Sequence, residues 1–139
     1  MSVSPGNYVQ TWMTRAWAER DRSAIDDLIA EVHTSVGAGD PVEDRDGWRA
    51  FFDTFTGAFD DIDIAVDGTV VEGDIEASRW SGTMTHKASG TKVPLSGILH
   101  VQVQDGQAVY GWNAIDWLPA LFTLGYVQPD VMERLFAAA

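Results

Sequence analysis

The apolar pattern of this chain changes period at Phe59, and that change narrows the fold more than any other feature. Upstream, Tyr8, Val9, Trp12, Met13, Ala16 and Trp17 trace one stripe at helical spacing, and Trp48, Phe51, Phe52, Phe55 and Phe59 trace a second. Downstream, Ile62, Ile64 and Val66 alternate with Asp63, Ala65 and Asp67, as a strand with one buried face requires. Side chains return to one side about every 3.6 residues on a helix and every second residue on a strand, so the chain changes structure type there.

The other elements follow from local signals. Ser4-Pro5 marks a helix start. A short helix is expected after Asp21 or Ser23, burying Ile25, Leu28 and Ile29, then a strand at residues 32–36 and a loop at 37–41. The next helix begins near Asp44. Three longer strands are expected at residues 74–86, 92–103 and 107–116, turning at Ala88-Ser89-Gly90 and Gln104-Asp105-Gly106. Pro119 and Pro129 each open a short C-terminal helix. Helices first and an antiparallel meander second give an α+β class. With 139 residues, 45% of them apolar, and no linker or repeat, one domain over residues 1–139 is expected.

Charge and composition remove several functions. Asp and Glu number 21 against 9 Lys and Arg, a net charge of −12, which repels nucleic acid and anionic membrane surfaces. No cysteine is present, so disulfides, thiolate catalysis and Cys-ligated metals are excluded. The 3 histidines lack ligand spacing, and no metal or cofactor is expected. The polar N-terminus MSVSPGNYVQ and the lack of a long apolar run predict a cytoplasmic protein.

The last hairpin carries the most chemistry. Ile98, His100 and Gln102 share one face with Tyr110, Trp112, Ala114 and Asp116, while Leu99, Val101 and Val103 share the other with Val109, Gly111, Asn113 and Ile115. A three-residue loop with Gly106 left-handed would set His100 near Tyr110. If the polar face is concave, it builds a pocket with an aromatic floor; if it faces solvent, the aliphatic face is core. Parity leaves both readings open. Arg79 is expected to be an ion-pair partner for one of the many acids.

The segment 44–127 resembles the SnoaL-like polyketide cyclases of the nuclear transport factor 2-like superfamily. The resemblance rests on Gly47…Arg49-Ala50-Phe51-Phe52…Phe55…Ala58-Phe59-Asp60-Asp61, Val71-Glu72-Gly73-Asp74…Arg79-Trp80…Gly82-Thr83…His86, Asp105-Gly106, Trp112…Asp116 and Leu118…Leu124-Gly125. It implies a curved antiparallel sheet forming a cone, with N-terminal helices closing a pocket. It also implies that Asp116, four residues after Trp112, acts as general acid/base, and that His100 and Gln102 line the same pocket. Tyr110 stands where that family commonly has Glu.

The function this implies is ring closure by intramolecular aldol addition on a polycyclic or β-polyketone substrate, without a cofactor. Asp116 would move the proton and His100 would orient it or steady an enolate. Gln102, Tyr110, Trp112, Trp80, His33, Phe51 and Phe55 would bind the substrate. Two alternatives remain open: an enone or ketosteroid isomerase using the same proton shuttle, and a non-catalytic module that binds a hydrophobic, aromatic small molecule. With the polar face concave, the aliphatic face would be convex and exposed, which predicts a homodimer or higher oligomer through it.

Overall fold

A computed structural model describes residues 2–37 and 41–138. Helix α1 (Tyr8–Trp12) passes directly into a π-helical stretch, Met13–Ala18. Helix α2 (Ala24–Leu28) leads into β1 (Ile29–Val36), and α3 (Arg45–Ala58) leads into β2 (Phe59–Glu72). Strands β3 (Ile75–His86), β4 (Thr91–Gln104) and β5 (Gln107–Asp116) follow, then α4 (Leu118–Thr123) and α5 (Val131–Phe136). The class is α+β, as the period change predicts. Among the described residues no helix is long and apolar enough to cross a membrane.

The strands make one open sheet in the order β1-β5-β4-β3-β2. Strands β2 to β5 form the expected antiparallel meander, but β1 runs parallel to β5, so the sheet is mixed. Parallel neighbours cannot be joined by a tight turn, and here α3 and the whole meander intervene between them. Strand β1 begins at Ile29, earlier than its apolar run indicates, because Ile29 already pairs with Ala108. Strand β2 continues past residue 67, paired with β3 up to Glu72 and Ile75, although Val70 and Val71 are exposed. Of the loop expected at 37–41, residues 38–40 lie outside the described residues.

Helix α3 follows its sequence signals closely. Asp44 is extended at the N-cap, and its side chain accepts from the Gly47 N–H at 2.7 Å. Phe52 and Phe55 are buried, and Trp48, Phe51 and Phe59 pack against the same core. The helix ends where Phe59 turns extended, at the residue where the apolar period changes.

The β4–β5 turn differs from expectation. Asp105 and Gly106 both have left-handed φ, +52° and +76°, so the loop has two residues and not three. A two-residue loop pairs Gln104 with Gln107, which alone would set even residues against odd ones. The register shifts between Gln102 and Val103, leaving Val109 as the extra residue of a bulge. Beyond it Gln102 pairs with Tyr110, and His100 pairs with Trp112 and not Tyr110. The bulge therefore restores the shared faces on which the sequence reading depended.

Two buried polar groups differ in reach: one joins the helix layer to the sheet, and the other bonds within its own strand. The carboxyl of Glu76 on β3 is 1% exposed and accepts from Gly6 N–H at 2.7 Å, Tyr8 N–H at 3.0 Å, Val9 N–H at 3.2 Å and the Ser78 hydroxyl at 2.6 Å. It accepts from the N–H donors at the start of α1, the one on Tyr8 being shared with the Ser4 carbonyl, and holds that helix on the sheet. His33, also buried, contacts the Ala30 carbonyl through Nδ1 at 2.8 Å, while its Nε2 has no partner among the described residues. Burial, with Arg45 adding to it, holds the His33 pKa below its ordinary value, against smaller opposing effects of the Ala30 carbonyl and Asp44.

Glu76→Gln puts a donor where an acceptor is needed and should cost about 1–3 kcal/mol in urea unfolding; an unchanged midpoint would remove the anchor role. A His whose folded pKa is depressed binds its proton more readily when unfolded. Its stabilising effect is complete above about pH 6.5 and fades as pH falls below that. Urea midpoints should therefore drop as pH falls below about 6.5, and His33→Gln should flatten that slope.

Candidate functional site

The inward face of the sheet is the aliphatic one. Val93, Leu95, Leu99, Val101 and Val103 of β4 are buried against the helices, alternating with exposed Pro94, Ile98, His100 and Gln104. The pocket expected on the polar face is thus corrected: Asp116, His100, Gln102, Tyr110 and Trp112 stand on the outer face, with Trp112 58% exposed. The physical reason is the apolar surface each side offers. The helical stripes need an apolar partner, and only the odd-numbered face supplies one.

Those outward residues have local tasks. Asp116 Oδ1 accepts from the Leu118 N–H at 3.2 Å, at the entry to α4. Gln102 Nε2 donates to Asp74 at 2.9 Å, and this bond, with a second from Gln104, holds the Asp74 carboxyl below its ordinary pKa. Arg79 was expected to be paired with an acid, yet it makes no ion pair among the described residues.

A cavity of about 80 Å³ lies between the inward face and the helices. Trp80, Phe51 and Phe55, expected as ligand contacts, line it; His33 does not, being packed beneath the start of α3. Every tryptophan except Trp112 lies on the wall: Trp12, Trp17, Trp48, Trp80 and Trp117. Trp12 meets Trp48 edge-on at 5.3 Å and Trp17 edge-on at 5.8 Å, and Trp17 tilts against Phe55 at 4.9 Å. Met13 and Trp17 come from the π-helical stretch, whose wider turn aims both at the cavity.

The polar content of the wall is small. Tyr8 donates its hydroxyl to the Leu28 carbonyl at 2.7 Å, and burial together with the charge of Glu76 raises its pKa, so it stays neutral. Ser35 and Asn113 are the other polar side chains on the wall, apart from the indole N–H groups. Among the described residues no carboxyl, imidazole, amine or guanidinium lines the cavity. Such a wall can exclude water and meet an apolar ring by contact.

The sequence reading missed Ser35 and Asn113. A signal for Asn113 was present: it is the one amide on an otherwise aliphatic and glycine face of β5. Ser35 had none, because its place beside β5 depends on the parallel pairing of Ser35 with Gly111.

Comparison with known proteins agrees with this architecture. A candidate polyketide cyclase from Acidithiobacillus ferrooxidans superposes with a TM-score of 0.76 at 24% identity, covering 86% of this chain and 92% of that one. IdmH from Streptomyces antibioticus, also named as a candidate polyketide cyclase, gives 0.75 at 24% identity, covering 87% and 98%. A protein with a ketosteroid isomerase-like fold from Catenulispora acidiphila, solved with trimethylamine, gives 0.76 at 14% identity, covering 88% and 95%. At these identities the likeness is one of fold. No curated protein matches the sequence. The family model for the SnoaL-like domain matches residues 9–111, about three quarters of the chain, and the chain belongs to that family.

Proposed function

We propose that the chain binds a flat, apolar ring compound of the polyketide type in the cavity, as a binding module and not as a proton-shuttling cyclase or isomerase. One observation carries this reading: among the described residues the wall is built mainly from aromatic and aliphatic side chains and holds no charged group. The sheet separates Asp116 from the cavity, so the acid/base role implied by the family resemblance has no access to a ligand held there. The free space is smaller than the roughly 150 Å³ that accommodates benzene, so the aromatic lid has to move for a ligand to enter. Contact with several rings at once then supplies affinity, at about 0.5–1.5 kcal/mol for each aromatic pair beyond area burial.

The outer face supports a homodimer. Val70, Ile98, Tyr110 and Trp112 are exposed there, beside the unpaired Arg79 and the carboxyl of Asp116. The expected convex patch of Leu99, Val101, Val103, Val109 and Ile115 is corrected, since Leu99, Val101 and Val103 are core and Val109 and Ile115 are half-buried. A face that carries an apolar centre with both signs of charge is complementary to a second copy of itself.

Ligand binding should quench the cavity tryptophans, so titration with naphthalene should lower intrinsic fluorescence. Gly111→Val should abolish the quenching and leave the fold intact, because Gly111 lines the cavity and a Cβ there would make only ordinary contact, 3.8 Å from Leu99 Cδ1 and Ser35 Oγ. Incorporation of deuterium next to the carbonyl of 1-indanone, lost in Asp116→Asn, would show catalysis and sink the binding-only reading. For the assembly, light scattering should report a dimer that Ile98→Asp with Trp112→Asp converts to monomer; a monomeric parent chain would count against the outer-face interface.

A further inference from the structure

Two indoles orient the two polar side chains of the cavity. Trp80 Nε1–H donates to Asn113 Oδ1 at 3.3 Å, and Trp48 Nε1–H donates to Ser35 Oγ at 3.2 Å. An indole N–H can only donate, so each contact occupies acceptor capacity on its partner. Asn113 must therefore turn its oxygen to Trp80, which leaves the amide nitrogen as its free end. Among the described residues that nitrogen donates to no protein group, and it is not sealed from the free space. The Ser35 hydroxyl hydrogen is likewise left to donate, because its oxygen is engaged by Trp48.

The reach of Trp80 depends on a strand neighbour. Trp80 on β3 pairs with Gly97 on β4, and Leu99, two residues along the same inward face, pairs with Asn113 on β5. The indole crosses β4 over the bare backbone of Gly97, where a Cβ would lie 2.6 Å from Trp80 Cζ2. Without a glycine there, the ring could not lie flat enough to reach β5.

From this we propose that Asn113 and Ser35 are the specificity-determining residues of the cavity, presented as a pair of hydrogen-bond donors by Trp80 and Trp48. The ligand class they select is a flat ring bearing a carbonyl or other uncharged acceptor oxygen. A ligand whose polar group is an ammonium finds no acceptor of matching charge among the described residues of the wall. The proposal rests on the cavity reading given above and adds the chemistry of its occupant. Asn113 and Ser35 are the contact residues, and Trp80 and Trp48 are positioning residues.

Acetophenone and α-methylstyrene provide the test, because they differ only in replacement of the carbonyl oxygen by CH2. In the wild-type chain, the infrared carbonyl band of bound, carbonyl-labelled acetophenone should lie below its position in hexane. Asn113→Leu, similar in size, should move the band back toward the hexane value. The same variant should lower the affinity for acetophenone relative to α-methylstyrene by about three- to tenfold. Ser35→Ala should act in the same direction, and Trp80→Phe should split the band as the amide becomes free to turn. A wild-type band at the hexane position overturns the donor pair whether or not any variant folds. An unchanged band and ratio in Asn113→Leu overturn the role of Asn113 and leave the cavity reading standing. Failure of both compounds to bind the wild-type chain overturns the cavity reading and this proposal with it.

Discussion

The carboxyl of Glu76 is the contact from which the rest of the architecture follows. It is buried in β3 and gathers the N–H groups of Gly6, Tyr8 and Val9 with the Ser78 hydroxyl. A carboxyl in that position is costly to desolvate unless several donors meet it, and the first turn of α1 is where free donors are available. Each side answers a deficit in the other. With α1 held there, Tyr8 reaches the Leu28 carbonyl, and Trp12, Met13 and Trp17 are laid across the inward face of the sheet. The cavity is the space left between that helix, α3 and the strands.

Its wall shows how few polar atoms an apolar site needs in order to be selective. A cavity lined by rings and aliphatic chains selects poorly among flat ligands, since contact area is not directional. Direction comes from two indole N–H groups that hold an amide and a hydroxyl in one orientation each. That arrangement requires glycine at position 97, so a strand residue without a side chain controls the aim of a tryptophan on the neighbouring strand.

Much of the fold was legible locally. The helical stripe in α3 and its start at Asp44 depend on residues close together in sequence and appear where those residues indicate, while the Asp105-Gly106 turn has the expected place but one residue fewer in its loop. The grouping of His100, Gln102, Tyr110, Trp112 and Asp116 on one face also held, since alternation is a local property and the Val109 bulge preserved it. What alternation cannot supply is which face the helices cover. The family resemblance implies the polar face, whereas the structure turns the aliphatic face inward. The aliphatic face lies under the aromatic stripes because those stripes have no other apolar surface to meet.

The residues of this chain by themselves determine an acidic, cysteine-free α+β fold with a period change at Phe59 and a hairpin of two unlike faces. They also determine the family, through an ordered set of short matches that no single strand or helix would carry. The parallel pairing of β1 with β5, the inward sense of the sheet and the meeting of Trp80 with Asn113 belong to the assembled fold. Each joins residues distant in sequence, and the free energy that selects them comes from burying one whole layer against another. Asp116, prominent along the chain, became a turn residue at the entry to α4, and Asn113, inconspicuous among its neighbours, became a polar group on the cavity wall.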